Sequence, residues 1–112
     1  MDKKYYITTP IYYPSAKPHM GHAYSSIIAD FFARFKKMDG FNVCFLTGTD
    51  EHCLKIQRAA EKKGVDPQKF CDEISQTFRS LSKTLNLTNT DFIRTTEERH
   101  KISVQNIWNV LE

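Results

Sequence analysis

Apolar residues follow two rhythms along this chain, and the switches between them mark out its elements. YYITTPIYY is β-branched and aromatic until Pro10 cuts it, which predicts a strand over about Tyr5 to Thr9 and a loop from Pro10 to Pro18. From Gly21 to Asp39 the residues Ile27, Ile28, Phe31, Phe32, Phe35 and Met38 recur at helical spacing, and Gly40 follows as a stop. That stripe is the expected core face of the helix. FNVCFLTG is a nearly continuous apolar run, the pattern of a strand buried on both faces of a parallel sheet.

After TDEHC a helix is predicted from Leu54 to Lys63, stopping at Gly64. Asp66 and Pro67 supply an N-cap and a first-turn proline for the next, whose stripe is Phe70, Ile74, Phe78, Leu81 and Leu85. DFIRT reads as a brief third strand. Thr95 and Glu98 have capping-box spacing ahead of a last helix bearing Val104, Trp108 and Leu111. The opening strand–helix–strand run predicts an α/β fold with a parallel sheet, and 112 residues allow one domain at most.

Composition narrows the class only a little. A hydrophobic content of 40% and an aromatic content of 12% indicate a globular chain. The net charge of +3 is scattered through RFKK, AEKKG and ERHK, which read first as solvated faces and second as polyanion contacts. Cys44, Cys53 and Cys71 form no CxxC pair, the pattern expected in a reducing compartment. No apolar run approaches the roughly 20 residues of a membrane span, and the start of the chain lacks the apolar core of a secretory signal. No membrane partner is expected.

Chemistry should gather where the parallel strands end, because residues just past each strand share the carboxyl edge of the sheet. Two polar clusters fall there, PHMGH after the first strand and TGTDEHC after the second. His19 and His22 stand three apart at a helix start, where Ser, Thr, Asp or Asn is usual, so the cluster is expected to meet a ligand rather than to cap. Unpaired backbone N–H groups and two imidazoles suit phosphate, and Gly21 lets a ligand approach the backbone. Asp50 either holds a cationic amino group or caps the following helix. Glu51 and His52 read as scaffold or loop residues, Cys53 as a small loop residue, and Tyr12 and Tyr13 as core. His19, His22, His52 and Cys53 offer nitrogen and sulfur ligands, but their spacing matches neither HExxH nor paired CxxC, so no metal site is assigned.

YYITTPIYY, KPHMGHAYSSIIADFFARF, FLTGTDEH and DFIRTTEERH together resemble the N-terminal part of the methionyl-tRNA synthetases, a family of class I aminoacyl-tRNA synthetases. HMGH stands for the HIGH signature, which alone would also fit small cytidylyltransferases. The resemblance implies the first half of a Rossmann-type, HIGH-superfamily nucleotide-binding domain spanning 1–112. It implies activation of methionine by ATP, with Mg expected alongside and no zinc in this segment, and transfer to tRNA(Met). His19 and His22 would be catalytic; with Gly21 they would bind ATP. Ile11, Tyr13 and Asp50 would bind methionine.

Two positions depart from the family pattern. Ser15 stands where an asparagine is common, and Cys53 stands where the family has glycine, which would strain the cysteine if that glycine has positive φ. LKIQRAAEKKG is more similar to mitochondrial members, although no presequence is visible, so mitochondrial matrix and cytoplasm are both kept open. The chain stops near the family's connective insertion and carries no KMSKS-type loop. On its own it is therefore expected to be an inactive fragment, a nucleotide-binding or interaction piece with exposed apolar residues such as Phe70, Phe78 and Trp108.

Overall fold

The computed structural model describes residues 2–112. In chain order the elements are β1 (Lys4–Thr8), α1 (Met20–Met38), β2 (Asn42–Thr49), α2 (Leu54–Lys63), α3 (Pro67–Thr84), β3 (Asp91–Arg94) and α4 (Glu98–Leu111). The strands form one parallel sheet in the order β1-β2-β3, with Ile7 beside Phe45 and Thr47 beside Phe92. This is the α/β parallel fold expected from the sequence. All three strands therefore end on the same edge.

Local chemistry explains most boundaries. α1 and α2 carry Lys36–Lys37 and Lys62–Lys63 in their last turns, where cations favour the helix dipole. Gly40 and Gly64 follow with φ of 85° and 65°. Asp66 caps α3 through the Lys69 N–H at 3.1 Å, with Pro67 in the first turn. Gly48 has a different role: a Cβ there would collide with the Ile93 carbonyl, so its hydrogen side chain is what lets β3 approach β2.

The core divides into two clusters. Phe70, Ile74 and Phe78 of α3 pack with Ile56 and Ala60 of α2, with Phe92 of β3 and with Tyr12. Phe70 and Phe78 are thus buried, contrary to the expectation that they are exposed; Trp108 is exposed, and no residue of α4 is buried. The second cluster sets Ala29 and Ala33 of α1 on Phe45, Ile7 and Val43.

That packing overturns the expected core face of α1. Ile27, Ile28, Phe31, Phe32, Phe35 and Met38 are all exposed, Phe31 at 65%, whereas Ser26, Ala29, Asp30 and Ala33 are buried. Small side chains let the helix axis settle close to the sheet, and the buried Asp30 carboxylate accepts hydrogen bonds from the backbone and hydroxyl of Thr88. The helix carries two stripes, and the smaller-volume one faces the strands. β2 likewise is not buried on both faces, since the register partners Tyr6 and Cys44 are exposed on the face away from Phe45 and no described element covers them.

Urea denaturation of single variants checks this assignment. Ala33→Leu, which overfills the helix–sheet contact, is expected to cost about 1–3 kcal/mol. Phe31→Ser on the exposed stripe should stay within about 0.5 kcal/mol. The hydrophobic periodicity alone would order the two oppositely.

Candidate functional site

The loop leaving β1 is clamped onto the end of β2. Tyr12 N–H donates to the Gly48 carbonyl at 3.1 Å and Asp50 N–H donates to the Tyr12 carbonyl at 2.8 Å, extending the parallel pairing by one bridge between Tyr12 and Thr49. The Tyr12 side chain is buried, its hydroxyl 2.9 Å from Ser26 Oγ and its ring against His22 and Phe78. Tyr13 is not core: it is half-exposed, as is Ile11. Alternation explains this, since a strand-like Ile11–Tyr12–Tyr13 sends only the middle side chain inward.

At the head of α1 the two histidines do cap the helix, contrary to the expectation that they answer only a ligand. His19 is the N-cap; its Nδ1 accepts from Gly21 N–H at 3.0 Å, and His22 Nδ1 accepts from His19 N–H at 3.0 Å. This is a capping box built from imidazoles. A neutral ring that accepts through Nδ1 carries its proton on Nε2, so each histidine keeps one N–H donor for something else. The rings lie 3.9 Å apart between centroids. Gly21 makes room for them, because a Cβ there would sit 2.9 Å from His19 Cε1.

Burial, and then the proximity of His19, hold the His22 pKa below the ordinary value of 6.5. The neutral, hydrogen-bond-accepting form is the one the fold favours. His19 and His22 open onto a cleft of about 250 Å³ that Ile11, Tyr13 and Ser15 also line, together with Lys17 and Lys55. The lysines were not singled out from the sequence, although each adjoins one of the two carboxyl-edge clusters. A hollow of about 580 Å³ lined by Gln76, Arg79, Lys83 and Phe92 is larger but contains none of the expected site residues.

On the other side of Tyr12 the ends of β2 and β3 form a polar array. Asp50 does not cap α2: its Oδ1 lies 3.3 Å from the His52 N–H and 3.5 Å from Thr95 Oγ1. The N-cap is Cys53, with φ of −143°, an extended conformation open to any side chain, so the expected strain at Cys53 is absent. Glu51 is buried and accepts both Nε and Nη2 of Arg94, at 2.7 and 2.8 Å, besides the Thr49 and Thr96 hydroxyls. Arg94 reaches on to Asp72 of α3 at 2.6 Å; these bonds, led by the one to Glu51, raise its pKa.

Thr95 does not form the expected capping box, because Glu97 is the N-cap of α4 and has no side-chain bond there. Its hydroxyl instead accepts the Glu51 N–H at 2.8 Å. Among the described residues no group of three or more His, Cys, Asp or Glu is placed to hold a metal ion.

Residues 5–112 match the sequence profile of the tRNA synthetases class I (M). The chain belongs to that family. It is 56% identical over 110 residues to the mitochondrial methionine–tRNA ligase of Takifugu rubripes, covering 98% of this chain and 19% of that protein. With the methionine–tRNA ligase of Rickettsia bellii it shares 55% over 111 residues, 99% of this chain and 22% of that protein. Its structure superposes on the Mycobacterium tuberculosis methionyl-tRNA synthetase solved with methionyl-adenylate, with a TM-score of 0.93 and 45% identity over 96% of this chain and 21% of that one. The chain thus spans about a fifth of the length of these relatives.

For this class I synthetase segment the geometry yields two predictions. Glu51→Ala, which removes the buried partner of Arg94 and leaves it only the half-exposed Asp72, should lower unfolding free energy by about 3–5 kcal/mol, and Asp72→Ala, at the exposed end of the array, by under about 1 kcal/mol; chemical denaturation reads both. The second concerns pH. Since His22 binds a proton less readily when folded, the stability it confers is present above about 6.5 and is lost as pH falls from there through the folded-state pKa. Melting temperatures recorded from about pH 7 down to about pH 5 should fall less steeply in His22→Asn than in the parent.

Proposed function

We propose that the protein carrying this segment activates methionine with ATP, releasing pyrophosphate, and transfers the methionyl group to the terminal adenosine of tRNA(Met). One observation carries the reading: the imidazole pair and the Asp50 carboxylate flank Tyr12, whose main chain hydrogen-bonds to Asp50 and whose ring packs on His22. Imidazoles that can donate to a phosphate and a carboxylate that can accept from an amine are thereby both tied to the same loop residue, which supports this reading. The names of the relatives, and the methionyl-adenylate held by the Mycobacterium enzyme, support the same substrates.

In this reading the methionine carboxylate attacks the α-phosphorus of ATP and pyrophosphate departs with the electron pair of the broken P–O bond. His19 and His22 donate from Nε2 to phosphoryl oxygens that gain charge in the pentacovalent transition state, where preorganised donors are most effective. Gly21, whose missing side chain leaves room for the His19 ring, keeps the head of α1 open to the nucleotide. Asp50 accepts the substrate ammonium, and the exposed faces of Ile11 and Tyr13 line the cleft for the thioether side chain. Mg enters with ATP as part of that substrate. No helix of the described residues is long and apolar enough to cross a membrane, and the compartment proposed is the mitochondrial matrix or the cytoplasm.

Methionine-dependent exchange of labelled pyrophosphate into ATP by the full-length protein tests the reading. Asp50→Ala should raise the KM for methionine roughly ten- to a hundredfold with little change for ATP, the loss of a charge-assisted bond being worth about 1.5–3 kcal/mol. His22→Ala should lower kcat of exchange more than it changes methionine binding. Equal effects of both substitutions on both substrates would contradict the assigned roles.

A further inference from the structure

We propose that Thr95 is the positioning residue of the amino-acid subsite, aiming the Asp50 carboxylate at the substrate ammonium; this rests on the reading above. Thr95 lies just past β3, 45 residues from Asp50 in sequence, yet it is the junction of the polar array. Its backbone N–H donates to the Thr49 carbonyl at 3.2 Å, and its own carbonyl lies 3.2 Å from the His52 Nε2. Bonds on both sides therefore fix its main chain against the end of β2. The residue is 7% exposed, so its hydroxyl is not free to turn to water.

The direction of that hydroxyl follows from its bonding. Oγ1 accepts the Glu51 N–H at 2.8 Å, which leaves its single proton to be donated elsewhere, and Asp50 Oδ1 lies 3.5 Å away. The His52 N–H approaches the same oxygen at 3.3 Å. Two donors thus converge on Oδ1, while Oδ2 receives no hydrogen bond from any described residue and is the oxygen left for an ammonium group. Such contacts commonly tighten when the ligand arrives. The buried Glu51–Arg94 pair anchors the same turn from beneath, so the threonine is held more rigidly than the carboxylate it directs.

The test uses the full-length protein, with methionine, ATP and the desamino analogue 4-(methylthio)butyrate as probes. Wild-type protein lacking methionine-dependent exchange would defeat the functional reading itself, and with it this inference. Given exchange, Thr95→Val should raise the methionine KM roughly tenfold, leave the ATP KM within about twofold, and leave inhibition by the desamino analogue unchanged, since only the ammonium contact is misdirected. Thr95→Ser should restore the methionine KM to within about threefold of wild type. In an Asp50→Ala background Thr95→Val should add nothing further. If the valine variant does not fold, Thr95→Cys, of similar volume and weak donor strength, takes its place with the same expectations. An unchanged methionine KM, equal weakening of methionine and its desamino analogue, or additive losses with Asp50→Ala would overturn the proposal.

Discussion

The carboxyl edge of this sheet hangs on one buried ion pair. Glu51 follows β2 and Arg94 closes β3, and their bidentate contact joins two strands whose pairing covers only four residues, Leu46–Thr49 against Asp91–Arg94. A carboxylate taken wholly out of water is tolerable only when every acceptor site is used, and the guanidinium fork with the Thr49 and Thr96 hydroxyls does so. Through Asp72 the same arginine draws α3 onto the edge. With the turn after β2 fixed, Asp50 is held at one side of Tyr12 while the head of α1 is held at the other.

In the proposed function, the histidines use one set of hydrogen bonds for both folding and chemistry. Their Nδ1 atoms satisfy the first backbone N–H groups of α1, and this same use determines that Nε2 carries the proton. Aspartate would cap the helix as well but would offer the cleft no donor. Protonation of His22 would convert its Nδ1 acceptor into a donor facing the His19 N–H, which accords with its lowered pKa. Gly21 supports this arrangement, since it spares the His19 ring a clash.

Much of this arrangement could be read from the sequence because strand order and strand ends follow from the strand–helix–strand rhythm. That rhythm placed PHMGH and TGTDEH on one edge, and the structure joins them through Tyr12. Side-chain volume was harder to read: hydrophobicity marks Phe31 and Phe35 as core, whereas close helix–sheet packing selects Ala29 and Ala33. Arg94 and Thr95 escaped notice for another reason. Their partners lie 43 to 45 residues away, and Thr95 offered a plausible local use as a cap that the structure does not realise. The rule that singled out the first two strand ends applies equally to the third, and would have found them.

A crystal structure of the protein with a methionyl-adenylate analogue, sulfamate replacing the phosphate, tests the central claim most directly. The account predicts the analogue's ammonium within about 3 Å of an Asp50 carboxylate oxygen and its sulfamate oxygens at similar distance from a histidine Nε2, with Tyr12 between the two contacts. An ammonium directed away from Asp50, or a sulfamate remote from His19 and His22, would contradict it.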